Sequence, residues 1–455
     1  MNDQVNHVSS SVTGEVSSKN YTNIGVTKFF VFTMIGILAF FANVTIGDQK
    51  TIIITHLVNF IQQTIAPITP YLLILLAALA VVDVFRNPAR NLATTTGKVF
   101  SVVRVLGLVC LIMAIFHVGP ALLHDERVLP FTLHRVVTPM MVVIPVSALF
   151  LPCLLSTGFV ETIGLILRPI MRPLLKVPGR SAVIAITAFF SANAVGIIAI
   201  DRMYKEGKFT AREAALLATS FCTQAVGFLI IVAGMTGLMP HWNLFFFGTF
   251  LILVVCAIVT GRIWPLSKKP DTCYDKCDYQ DEEVVKQGLI KRAFEEGFGV
   301  AENMGSMATK IAMTMKATLN VLTVVIATSM FFATAGLALV YHTPIFHWIG
   351  YIFYPVAALL QLPDTHLVGA SGSSVLVAAL NPAILANQTD SFVTTFVLAC
   401  MPITTIISFG LTVPVYLTTS IPLKLWEILV IWIERVIISM ITATLIAMAY
   451  SALFL

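Results

Sequence analysis

Nine runs of about 20 mainly apolar residues constrain this chain more than any other feature. They lie at 28–46, 68–85, 99–118, 138–156, 214–238, 244–263, 319–340, 391–413 and 425–450. About 20 such residues are what a helix needs to cross the hydrocarbon core of a bilayer. Backbone groups in that core must be satisfied within the structure, so a chain of such runs becomes a bundle of helices. Charged residues make up only 11% of the 455, against 57% apolar, where soluble domains carry about 25% charged. A skin of 28 basic and 23 acidic residues cannot cover a soluble body of this size. A soluble enzyme, a disordered chain and a disulfide-rich secreted domain are excluded. The expected fold class is an all-α polytopic membrane protein.

Residues 1–27 are polar, aperiodic and expected to be a disordered tail. Three further apolar stretches are less simple. The amphipathic 51–66 ends at Pro67 and is expected at the membrane interface, while 181–200 and 367–386 carry small and polar residues in mid-segment. Short loops rich in Lys and Arg stay in the cytoplasm. Residues 168–180 and 201–213 each hold four basic residues, so both ends of 181–200 are expected inside. That makes 181–200 a re-entrant hairpin with Ser191, Asn193 and Gly196 near its turn; a tilted tenth span is the alternative. Between Lys316 and Lys424 there is no Lys or Arg, so the loops flanking 367–386 are expected outside. The two hairpins would then enter from opposite faces, giving about nine transmembrane helices plus two re-entrant hairpins.

An internal repeat supports this. Residues 163–178 read IGLILRPIMRPLLKVP and residues 349–363 read IGYIFYPVAALLQLP, with Gly164, Pro169 and Pro178 matching Gly350, Pro355 and Pro363. Opposite charge bias around the two copies points to an inverted repeat, a device of many secondary transporters. The units at roughly 157–263 and 345–450 resemble the Gate (nucleoside-recognition) domain of concentrative nucleoside transporters, ferrous-iron permeases and spore-maturation membrane proteins. The first matches better, through PLLKVPGRSA and the connector MYKEGKFTAREAA; the second lacks a basic connector. The N-terminal GILAFFANVTIGDQKTIIITHLVNFI resembles the YjiH-like branch of bacterial inner-membrane proteins. The resemblance implies an N-terminal transmembrane region at 28–137, Gate-like unit 1 at 138–263, a cytoplasmic amphipathic linker at 264–318 and Gate-like unit 2 at 319–455. It implies a multi-pass protein of the bacterial inner membrane that moves a small, nucleoside-like solute. A non-transporting subunit that assembles with a partner membrane protein is the alternative.

No Walker loop or G-x-G-x-x-G is present, and Ser371, Ser373 and Ser374 have no expected base beside them, so no enzyme chemistry, catalytic residue or cofactor is expected. Cys273 and Cys277 form a C-x-x-x-C without further ligands nearby, so no metal site is expected. The solute site is expected where the hairpins meet. Its candidates are Ser191 and Asn193 from the first, Ser371, Ser373, Ser374 and Asn381 from the second, and Gln224, Thr404 and Thr405 from the spans that follow. Neutral donors and acceptors of this kind suit an uncharged or zwitterionic solute. Intramembrane ionisable groups are rare and usually functional, which singles out Glu161 and Glu434 as candidates for H⁺ or Na⁺ coupling. For Glu161 the alternative is an interfacial pair with Arg168; for Glu434, which precedes Arg435, it is a structural ion pair between helices. Expected partners are the lipid bilayer, the solute, and a membrane partner or second copy; nucleic acid is not expected.

Overall fold

A computed structural model describes residues 23–46, 49–88, 92, 95–179, 181–190, 193–274, 288–409, 412–416 and 419–454. The expected tail lies, up to residue 22, outside them. The first helix, α1 (Asn23–Phe41), stops short of the expected span end. Asn43–Ile46 (β1) instead pairs antiparallel with Gln49–Ile52 (β2), Val44 opposite Thr51. Alternating polar and β-branched residues favour this extended pairing. The carbonyl of Phe40, released at the helix end, is taken by the buried Trp242 indole N–H at 2.6 Å. The amphipathic stretch expected at the interface is α2 (Ile53–Ile65), which a single turn at Ala66–Ile68 joins to α3 (Thr69–Arg86). It is the first limb of one 34-residue helical run, not a separate element.

Then follow α4 (Thr95–Phe116) and α5 (Thr138–Phe150), the latter preceded by a π-turn at Thr132–Val137. Among the described residues, eight helical runs are long and apolar enough to cross a membrane, and the shorter apolar helix Phe392–Thr404 occupies the ninth expected position. Their outward faces are greasy: Tyr71, Leu75, Leu79, Val82 and Phe85 on α3, and Val99, Val102, Leu106 and Val109 on α4, are all exposed. Rows of this extent left uncovered fit a lipid solvent rather than water. The chain is a multi-pass membrane protein.

After α5 the same order of elements occurs twice. In the first round α6 (Phe159–Leu175) leads into a hairpin of α7 (Ser181–Phe190) and α8 (Asn193–Lys205). A helix broken into α9 (Ala211–Phe221) and α10 (Val226–Met235) and an unbroken α11 (Trp242–Thr260) complete it. A capping box between Thr210 and Glu213 fixes where α9 begins. A 15-residue helix, α12 (Leu289–Asn303), and the 36-residue α13 (Met307–His342) join the rounds. Ala293 on α12 is buried, and residues 275–287 of the expected linker lie outside the described residues.

In the second round α14 (Ile345–Gly350) and α15 (Tyr354–Leu359) lead into a hairpin of α16 (Thr365–Ser374) and α17 (Asn381–Leu385). A broken helix follows, α18 (Phe392–Thr404) and α19 (Val413–Tyr416), and then α20 (Leu425–Phe454). The runs at 214–238 and 391–413, expected as simple spans, are thus both broken. At 10 residues each, α7 and α16 rise only about 15 Å, half of the hydrocarbon core. Neither crosses alone, as re-entrant limbs require.

Gly164 and Gly350, matched in the sequence repeat, do the same work in both rounds. A Cβ on Gly164 would sit 2.5 Å from Val183 Cγ2 on α7, and one on Gly350 would sit 2.8 Å from the carbonyl carbon of Gly369 on α16. Each bare Cα lets the lead-in helix lie directly on the first limb of its hairpin.

Candidate solute site

The site is built around the two helix breaks. Between α9 and α10 the chain runs unwound over residues 222–225, and between α18 and α19 over 405–412, where 410 and 411 lie outside the described residues. Pro402 near the end of α18 and Ile406, held at φ +62°, mark the second break. A β-branched residue rarely adopts that conformation. Thr412 staples the loop: its hydroxyl donates to the Ile406 carbonyl at 2.9 Å and accepts from the Ser408 N–H at 2.8 Å.

Each break is tied to the hairpin of its own round. Thr223 Oγ1 donates to the Phe189 carbonyl at 3.5 Å, and the Phe409 N–H donates to the Leu376 carbonyl at 2.7 Å. Contacts also run crosswise: α8 packs on α19, and α17 packs on α10. The Ser420 N–H donates to Asp201 Oδ1 at 2.7 Å, and Tyr416 O–H donates to the Ala218 carbonyl at 3.1 Å, so the two rounds interlock. Unwound backbone at membrane depth is tolerated where protein or a wet cavity surrounds it.

Ser191 lies outside the described residues, and Asn193 opens α8, its side chain outside them too. Gln224 sits half-buried in the first break. The second hairpin divides its polar residues into two sets. Ser373 Oγ donates to the carbonyls of Phe346 (2.7 Å) and Ala370 (2.8 Å), and Ser374 Oγ to that of Ser371 (3.1 Å). Thr404 and Thr405 donate back to Cys400 (2.9 Å) and Met401 (2.8 Å). These four hydroxyls are taken up by backbone carbonyls, one of which, that of Phe346, lies on α14. By contrast, Ser371 Oγ and both amide atoms of Asn381 are fully buried with no hydrogen-bond partner among the described residues. A buried polar group left so costs about 1–3 kcal/mol. Asn381 leans on the bare Cα of Gly336 on α13, where an added Cβ would lie 2.6 Å from Nδ2. Thr334 on α13, Ser220 at the end of α9 and Ser408 in the second break also hold buried hydroxyls without a partner among the described residues. Sequence reasoning passed over these three, since Ser and Thr in apolar helices ordinarily bond their own backbone.

Of the ionisable candidates, Glu161 lies away from the breaks, beside the α6–α12 contact where Thr162 Oγ1 donates to the Ala293 carbonyl at 3.2 Å. Its Oε2 accepts no hydrogen bond among the described residues. Burial, with a smaller push from Glu296, raises its carboxyl to about 7. Burial raises Glu296 as well, against the pull of Arg168 and Arg292. Glu434 on α20 is half-buried, and its Oε2 has no partner among the described residues. The neighbouring Arg435 points elsewhere, as adjacent helical residues must. It is fully buried and donates from Nε (3.0 Å) and Nη2 (2.6 Å) to the Thr404 carbonyl. Among the described residues no group of three metal-ligating side chains occurs.

Residues 135–239 match the Gate family, described as nucleoside recognition. The matched stretch runs from the turn before α5 to the end of the first broken helix. An uncharacterized protein of Alkalihalophilus pseudofirmus is 28% identical over 435 residues, covering 92% of this chain and 93% of that one. Among solved structures, CNTnw in an inward-facing substrate-bound state is similar at a TM-score of 0.43 and 12% identity, over 98% of this chain and 97% of that one. A CNTnw variant in an outward-facing state gives 0.41 and 12%, over 94% and 97%.

Proposed function

We propose that this protein is a secondary transporter or permease of the bacterial inner membrane for a small polar, nucleoside-like solute. In this reading the N-terminal region 28–137 frames two Gate-like units at 138–263 and 319–455, mirrored across the membrane and joined by the linker 264–318. The observation that carries it is the pairing of each helix break with its own hairpin, beside the unpartnered Asn381 amide. Two broken elements around one midplane site are the basis of alternating access. A carboxamide with free donor and acceptor atoms matches the donor–acceptor edge of a nucleobase. Ion coupling is proposed to run through Glu434, the half-buried carboxylate on α20. The match of residues 135–239 to the Gate family, described as nucleoside recognition, supports this solute class.

The test is a thermal-shift panel on purified full-length protein with purine and pyrimidine nucleosides, amino acids and organic acids. A nucleoside should raise the midpoint of the wild type and not that of Asn381→Ala. A panel in which no nucleoside shifts the wild type while an organic acid does would overturn the solute class.

A further inference from the structure

Arg435 is a fully buried guanidinium within a membrane-spanning helix. Among the described residues, the ionisable groups acting on it are the Cys256 thiol and the Tyr416 hydroxyl, neither of which supplies a carboxylate. A buried charge of this kind ordinarily has a counter-charge. Here both Nε and Nη2 converge on one atom, the carbonyl oxygen of Thr404, while Nη1 has no partner among the described residues. Thr404 is the last residue of α18. The C-terminal end of a helix carries a partial negative charge, and the break after it leaves carbonyls without intrahelical partners. Half-helix C-terminal ends and unwound carbonyls are the groups with which transporters hold a coupling cation. At this break the cation belongs to the protein.

We infer that Arg435 is a tethered cation. Its guanidinium takes the place a free Na⁺ would occupy at the end of α18, so that the second broken helix is neutralised without a dissociable ion. The equivalent helix of the first round, α11, brings no such group to its break, having no charged residue from Trp242 to Thr260. A hydroxyl, that of Tyr416, meets the Ala218 carbonyl there instead. The consequence for coupling rests on the proposed transport function, whereas the cation site itself is open to a test on stability alone.

The measurement is the thermal midpoint of purified full-length protein in NaCl, KCl or choline chloride at equal ionic strength, and with methylguanidinium chloride at millimolar concentration. Arg435→Ala should lower the midpoint by about 5 °C or more. Methylguanidinium should restore part of that loss, and NaCl should stabilise the variant over choline chloride by more than it stabilises the wild type. Arg435→Lys should keep most of the wild-type midpoint without a methylguanidinium response. Should Arg435→Ala not accumulate, Arg435→Gln carries the same measurement, because it keeps a donor for Thr404 and removes the charge. A folded Ala or Gln variant that responds to no cation beyond the wild type would overturn the inference. Rescue in the absence of any nucleoside binding would leave the tethered cation standing and count against the transport reading alone.

Discussion

Asn381 concentrates what single residues contribute. Its amide is buried, unpartnered and pressed against Gly336. Removing an unsatisfied polar group relieves a penalty, so Asn381→Ala should leave the thermal midpoint unchanged or raised while nucleoside binding falls at least about tenfold, the worth of one lost hydrogen bond. A packing role predicts the opposite pair, lower stability with affinity intact. Glu161 supplies a pH test. Its folded carboxyl, raised from 4.5 to about 7, binds the proton more tightly than the unfolded one. Its contribution is therefore full below about pH 4.5 and lost as pH rises through about 7. Glu161→Gln should flatten that part of the stability profile and protect α12 amides from hydrogen exchange at mildly alkaline pH; an unchanged profile would contradict the buried placement. Residue types alone pointed to the second hairpin, because Pro382 and the small residues are visible in the sequence. They did not separate Ser371 from Ser373 and Ser374, because that depends on which way each hydroxyl turns. The Arg435 partner was hidden for a similar reason: a main-chain carbonyl has no signature in sequence.

Among the elements, the membrane helices were legible through length and hydropathy, and the two hairpins through their polar centres and the parity of basic loops. The breaks were not. FCTQAV and TTIISFG keep high hydropathy straight through residues that leave the helix, so a count of apolar positions runs over them. The β1–β2 hairpin was hidden in the same way, since Asn43–Ile46 extends an apolar run in composition while alternating in pattern. The repeat makes a matched prediction. Ala at Gly164 would drive Cβ into Val183, and Ala at Gly350 would drive it into Gly369. Each should cost about 1–3 kcal/mol of overpacking, read as a lowered thermal midpoint, and the two losses should be of similar size. A loss confined to one of them would mean that the sequence match does not mark equivalent contacts.

On the scale of the whole molecule, the two rounds hold each other crosswise, α8 on α19 and α17 on α10, with Asp201 and Tyr416 bonding across. That arrangement suits two rigid units rocking about a shared centre, provided that the second unit is inserted upside down relative to the first. Sidedness decides whether the second unit is inverted. Lys208 follows the first hairpin and pairs with Glu206 at 2.8 Å, while Gln388 follows the second and bonds the Tyr341 hydroxyl. Lys208→Cys and Gln388→Cys, each in a protein with Cys273 and Cys277 replaced by Ser, can be labelled in intact cells with a membrane-impermeant maleimide. Gln388→Cys should react from outside and Lys208→Cys only after the cells are opened; labelling of both from the same side would contradict the mirrored units.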